Sequence, residues 1–376
     1  MVVLGTRPEA IKLCPLILHL AQRPESFAVE VCVTAQHREM LDAMLGRFGV
    51  RADHDLDVMR PRQSLGELTG RVLAGLEPVL TRNAPQLVLV QGDTTTTMAG
   101  ALAAFYQRIP VGHVEAGLRT GDLSQPFPEE LNRVLTGRMT TLHFAPTARA
   151  AAHLASEGVA VKSIHITGNT GIDALYYTRA KLQSGEWPGY QGPPLTQGKR
   201  LILMTAHRRE SFGEGFEGIC EGVRRIAGRG DTEIVYPVHP NPNVRGVVER
   251  NLAGVAGVRL IEPLDYVPFV DLMRQADLLL TDSGGVQEEG PSLGKPVLVM
   301  RNKTERQEAV EAGTALLVGT DPGEIESRVK SLLDSKELLA SFRNKANPFG
   351  DGTACEQIAK IIEEWRRGGD SNPRYP

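Results

Sequence analysis

Short apolar runs alternate with segments of helical periodicity from the first residues onward, the pattern of βα units around a parallel sheet. In the first half the runs fall at residues 2–4, 29–33, 86–91, 111–114, 142–145 and 164–167. Gly185, Pro188, Gly189, Gly192, Pro193 and Pro194 then break both periodicities and mark a connection between domains. A second series has runs at 201–205, 233–238, 258–261, 278–281, 296–300 and 315–318. The pattern predicts an α/β protein of two Rossmann-like halves, residues 1–170 and 171–353. Ile358, Ile361, Ile362 and Trp365 form an apolar stripe on a last helix, 354–367, which is expected to pack back on the first half. Beyond it, residues 368–376 have no periodicity and are expected to fray.

Composition narrows the function classes. The 376 residues suit two domains at about 150 residues each. With 42 basic and 45 acidic side chains the net charge is −3, so bulk electrostatics attract neither nucleic acid nor an anionic membrane, and a small ligand is expected. Cys14, Cys32, Cys220 and Cys355 are too scattered for a disulfide scaffold or a CxxC zinc site and are read as core residues in a reduced cytoplasm. No run approaches the roughly 20 apolar residues of a membrane span, and no signal peptide is recognised.

In open α/β sheets, ligands sit outside the carboxyl ends of the strands, so the polar residues after each run are the candidates. Gly5 to Lys12 places Arg7 and Lys12 at a helix start that suits an anion. Asp93 follows the run at 86–91, with Thr94 to Thr97 behind it, and Glu115 follows the run at 111–114. Glu129 and Glu130 open a helix after two prolines, where acids also serve the helix terminus itself. In the second half, His207, Arg208 and Arg209 follow one run and His239 another. Ser283, Gly284 and Gly285 turn a strand into a helix whose N–H groups suit phosphate, and Glu289 lies where it can accept from ribose hydroxyls. No GxGxxG fingerprint, P-loop, HExxH or GxSxG motif occurs, and the nine histidines lack metal-ligand spacing. Chemistry without a metal or cofactor is expected.

Assembled in order, GTRPEAIK (5–12), TAQHREML (34–41), GDTTTT (92–97), PVGHVEAGLRTGD (110–122), PFPEELNR, HRRESFG, YPVHPNPNVR, LTDSGGVQEE and GKPVLVMRNKTERQEAVEAGT cover nearly the whole chain. This set resembles the non-hydrolysing UDP-N-acetylglucosamine 2-epimerases of bacteria. The resemblance implies two Rossmann-like domains facing a central cleft, as in GT-B glycosyltransferases. It also implies interconversion of UDP-N-acetylglucosamine and UDP-N-acetylmannosamine with no added cofactor, through elimination of UDP to 2-acetamidoglucal and re-addition. The essential groups would be Asp93, Glu115, Glu129 and His207, with Arg7, Lys12, Ser283, Gly284, Gly285 and Glu289 contacting UDP. A second UDP-N-acetylglucosamine activates some members, and its contacts would involve Gln36, His37, Arg38, Arg208 and His239. A homodimer is expected, making N-acetylmannosamine units for cell-surface polysaccharide. A hydrolysing epimerase that releases free N-acetylmannosamine and a silent nucleotide-sugar sensor are the alternatives. Two departures stand out. Members usually have His where this chain has Gln91, so the resemblance gives that side chain no role, and they carry several more residues before the GTRPE turn.

Overall fold

A computed structural model describes residues 1–34 and 38–368, apart from the side chain of Arg38. The chain divides into two units, Met1–Ala174 with Phe349–Pro376, and Leu175–Pro348. The first changeover lies within helix Thr170–Gln183, ahead of the Gly- and Pro-rich stretch.

Among the described residues, the first unit has a seven-stranded parallel sheet. Its strands are β1 (Val2–Leu4), β2 (Val31–Val33), β3 (His54–Asp55), β4 (Val88–Gln91), β5 (Val111–Val114), β6 (Leu142–Ala145) and β7 (Ile164–Ile166), in the order β3-β2-β1-β4-β5-β6-β7. The second has β8 (Arg200–Thr205), β9 (Thr232–Pro237), β10 (Val258–Ile261), β11 (Leu278–Thr281), β12 (Val297–Val299) and β13 (Ala315–Leu317), in the order β10-β9-β8-β11-β12-β13. Central strands such as β1, β4 and β11 are buried along their whole length, which is why they are continuous apolar runs rather than alternating ones. The edge strand β3 escapes the apolar pattern because it is a two-residue segment, His54 and Asp55, without an apolar residue.

Helices supply the other face of each core. Helix Glu214–Ala227 buries Phe216, Ile219, Cys220, Val223 and Ile226, an i, i+3, i+4, i+7, i+10 stripe, against the core that includes Ile202, Met204, Tyr236 and Leu280. Burying one such large side chain contributes about 1.5–3 kcal/mol. All four cysteines are free and buried.

The last helix, Ala354–Arg367, packs on helix Arg7–Ala21 and buries Ile358, Ala359 and Ile362. Asp173 receives its first N–H groups, from Ala354 at 3.3 Å and Cys355 at 2.9 Å, so a carboxylate from before the second unit caps a helix from after it. Among the described residues no helix is long and apolar enough to cross a membrane.

Both sheets share one logic. The order runs outward in one direction from β1 or β8, then reverses at the β1/β4 and β8/β11 pairs. At such a reversal the flanking loops separate at the carboxyl ends of the strands and leave a crevice.

Candidate active site

At the β1/β4 reversal the chain leaves β1 through Gly5, where a Cβ would stand 2.2 Å from Thr34 Oγ1 and 2.4 Å from Thr96 Oγ1. Only glycine fits that approach. Thr6 caps helix Arg7–Ala21 in a capping box, its hydroxyl accepting from Glu9 N–H while Glu9 Oε2 accepts from Thr6 N–H at 2.7 Å. Gly5 N–H also donates to that oxygen, at 2.9 Å. The other oxygen, Oε1, accepts from the hydroxyls of Thr94 (2.7 Å) and Thr97 (3.1 Å). Glu9, 1% exposed, therefore binds the turn after β1 to the turn after β4, and burial raises its pKa against these bonds. Arg7 opens the helix, with Pro8 in its first turn.

The turn after β4 carries Asp93. Asp93 Oδ2 accepts from Arg133 Nε at 3.0 Å and Nη2 at 2.7 Å, and Asn132 donates to the Asp93 carbonyl at 2.9 Å. The N-cap of helix Thr95–Tyr106 is Thr94, so the Asp93 carboxylate is not spent on capping. Arg133 also pairs with the buried Glu130, whose second oxygen accepts from Thr120 and Gly121 N–H at 2.9 Å each. Glu130 thus organises the loop before the helix. The side chain of its neighbour Glu129, at the first position of helix Glu129–Met139, makes no hydrogen bond or ion pair among the described residues.

Glu115 follows β5 with a φ of +66°, a left-handed conformation that costs a non-glycine residue about 1–3 kcal/mol and gathers at functional sites. Its side chain is almost buried, and Oε2 receives both Lys12 Nζ and, at 2.6 Å, Gln91 Nε2. His113, one pleat earlier, pairs its Nε2 with the Gly92 carbonyl at 2.7 Å, and burial pushes its pKa down to about 4. It is a neutral donor that fixes the β4 turn.

At the β8/β11 reversal the central group is Asp282, 0% exposed. Oδ2 accepts from the N–H groups of His207 (2.6 Å) and Arg208 (2.7 Å), and Oδ1 stands 3.2 Å from His207 Nδ1. Burial opposes its charge, but the His207 ring and these two N–H groups outweigh burial and hold its pKa below the usual range. Facing Asp282 with Nδ1 leaves Nε2 as the His207 nitrogen for proton exchange. His239 stacks on His207, with centroids 5.3 Å apart and planes 14° from parallel. Asn241 N–H donates to His239 Nδ1 at 3.1 Å. After β11, Ser283 precedes helix Gly284–Glu289 without capping it through its side chain. The Arg306 guanidinium lies where a Gly284 Cβ would be, 2.9 Å from that point, and is held by Glu288. The space beside Gly285 is open apart from Ser283 Oγ at 3.9 Å. Glu289 Oε1 accepts from Tyr266 Oη at 3.3 Å.

The family model for UDP-N-acetylglucosamine 2-epimerase matches residues 19–363. The UDP-N-acetylglucosamine 2-epimerase of Escherichia coli K12 is 54% identical over 373 residues, which is 97% of this chain and 98% of that protein. That of Salmonella typhimurium is 52% identical over 371 residues, again 97% and 98%. Among solved structures, the Neisseria meningitidis UDP-GlcNAc 2-epimerase bound to UDP-GlcNAc superposes with a TM-score of 0.88 at 47% identity, covering 96% of this chain and 99% of that one. The chain belongs to the UDP-N-acetylglucosamine 2-epimerase family.

In this epimerase the residues singled out from sequence fall into two sets. Arg7, Lys12, Asp93, Glu115 and Glu129 belong to the first unit, and Lys12 lies directly on Glu115. His207, Arg208, His239, Ser283, Gly284, Gly285 and Glu289 belong to the second, where His207 and His239 touch. Gln36 and His37 lie outside the described residues, as does the side chain of Arg38, which opens helix Arg38–Phe48. Asp282, Arg133 and Glu9 were not anticipated, and Glu130, named with Glu129 at the helix start, turns out to hold the preceding loop and Arg133. Asp282 had a signal, a carboxylate directly after an apolar run. Glu9 had the capping-box spacing to Thr6. Arg133 had helical spacing to Glu130, but its link to Asp93, 40 residues away, had none.

Proposed function

We propose that this epimerase interconverts UDP-N-acetylglucosamine and UDP-N-acetylmannosamine by eliminating UDP to 2-acetamidoglucal and adding it back. No ring carbonyl flanks C2, so a proton removed there alone leaves an unstabilised carbanion. Concerted loss of UDP from C1 solves this. A base takes the C2 proton, the C–H electrons form the C1–C2 double bond, and the C1–O bond electrons leave with UDP. In the return step the double bond takes a proton at C2 on the opposite face while a UDP oxygen bonds to C1.

The chain's own groups match each demand. Asp93 and Glu115 are the proton-handling carboxylates at strand ends, each beside a cation, and Glu129 is the third. His207, oriented by Asp282, exchanges protons through Nε2 or stabilises the departing diphosphate as its imidazolium. The turn at Ser283 to Gly285 offers N–H groups to phosphate, Arg7 and Lys12 add positive charge, and Glu289 accepts from ribose. Gln36, His37, Arg38, Arg208 and His239 are the residues we assign to an activating second UDP-N-acetylglucosamine. The product supplies N-acetylmannosamine units for polysaccharide, and the protein works as a homodimer in the cytoplasm.

The observation that carries this reading is the presence of two carboxylates after neighbouring strands of one sheet, Asp93 after β4 and Glu115 after β5, and an imidazole paired with a buried carboxylate, His207 with Asp282, at the reversal of the other. A proton NMR time course on UDP-N-acetylglucosamine alone tests it. UDP-N-acetylmannosamine should accumulate to an equilibrium mixture. Free N-acetylmannosamine in its place indicates the hydrolysing reaction, and unchanged substrate indicates a sensor.

A further inference from the structure

The geometry points to Gln91 as a positioning residue for the epimerisation, holding Glu115 in its reactive orientation through a side-chain amide. Gln91 is the last residue of β4 and lies in register with Val114 on β5, so its side chain adjoins the residue that follows β5. It is 4% exposed, too buried to be a solvated polar residue at a strand end. Its Nε2 lies 2.6 Å from Glu115 Oε2, the oxygen that Lys12 also engages. A buried amide needs partners, and here the partner is the carboxylate itself.

The backbone explains why Glu115 needs such support. With φ at +66° it sits in a conformation a glutamate rarely adopts, so local preference does not aim its side chain. Lys12 reaches it from helix Arg7–Ala21 by a long flexible stem, partly exposed to water. Gln91 reaches it from the adjacent strand of the same sheet, by a shorter side chain within the buried layer. The amide is neutral at every working pH, so it directs the carboxylate without adding a titrating group beside it. A carboxylate displaced by about 1 Å from a substrate C–H loses on the order of 10²-fold in rate.

This rests on the reading that Glu115 handles a substrate proton, and the experiment keeps the two apart. Wild type, Gln91→Met, Gln91→Glu and Gln91→His are compared for kcat and KM with UDP-N-acetylglucosamine, for UDP affinity by calorimetry and for thermal unfolding. Met keeps the length and removes the donor. Glu keeps the shape and puts an acceptor where the donor was, and it carries the test if the Met variant does not fold. His restores a ring N–H. The expected result is a kcat about 10- to 100-fold lower for Met and for Glu at pH 8, with KM and UDP affinity within about twofold, and kcat within about fivefold of wild type for His. Wild-type kcat in Gln91→Met, or in Gln91→Glu if Met does not fold, overturns the inference. So does a kcat loss that His does not restore, which marks a packing role. A wild-type protein without epimerase activity overturns the reading beneath it instead.

Discussion

The two sheet reversals share one topology and carry different chemistry. Around the first reversal the carboxylates follow strands, Asp93 after β4 and Glu115 after its neighbour β5, and the cations Lys12 and Arg133 come from helices to meet them. At β8/β11 the carboxylate is the inner group, Asp282, and what surrounds it is nitrogen: the His207 ring and the N–H groups of His207 and Arg208. One topology thus offers proton-accepting groups in one unit and proton- or hydrogen-bond-donating groups in the other. The difference teaches that the fold supplies the crevice, while the residue just after each strand sets its chemistry.

The most damaging break in this contrast is neutralising the first reversal. Asp93→Asn, Glu115→Gln and Glu129→Gln should each fold and lose about 10²-fold or more in kcat, the usual scale for acid–base groups. Steady-state rates with circular dichroism of each variant check this, and near-normal turnover in all three would remove the first unit from the chemistry. Smaller effects are expected at the second reversal. Glu289→Ala and Ser283→Ala should weaken UDP binding by about 5- to 50-fold, the worth of one or two hydrogen bonds to a charged or polar ligand. Unchanged calorimetric affinity would place the nucleotide elsewhere.

The smallest expected effect sharpens the contrast through stability. Burial pushes the pKa of His113 down to about 4 and that of His143 down to about 3, both in the first unit. Unfolded imidazoles titrate near 6.5. As pH falls through that value the unfolded chain binds protons that the folded chain refuses, so this stability is full above about pH 6.5 and is lost on acidification. Glu9 and Asp173, whose pKa values burial raises, act in the opposite sense. His143→Gln isolates one histidine. The difference in unfolding free energy between wild type and variant should move by about 2 kcal/mol against wild type between pH 7.5 and pH 5 in urea titrations. A difference independent of pH would mean that His143 protonates as freely folded as unfolded.

Much of this architecture was legible because buried parallel strands write themselves as apolar runs. The runs at 111–114, 142–145, 258–261 and 278–281 coincide with β5, β6, β10 and β11. β3 was not legible, since a two-residue edge strand buries no apolar face. Candidate acids were found by position, after strand ends, but their partners were not. Arg133 meets Asp93, and Gln91 and Lys12 meet Glu115, through tertiary approach that leaves no local pattern. The four threonines after Asp93 give no local sign of their partners. Thr94 and Thr97 direct their hydroxyls to Glu9, and Thr96 pairs with Thr34, so they build the turn itself.

The central claim is that the C2 proton leaves to a protein group and returns from another on the opposite face. The most direct test runs the reaction in D2O and reads C2 of the epimer by NMR and mass spectrometry. Carboxylates such as Asp93 and Glu115 exchange with solvent, so the account predicts deuterium at C2 of UDP-N-acetylmannosamine, with traces of free UDP and 2-acetamidoglucal on long incubation. An epimer carrying only protium at C2 would require the original hydrogen to return to its own carbon and would contradict the account.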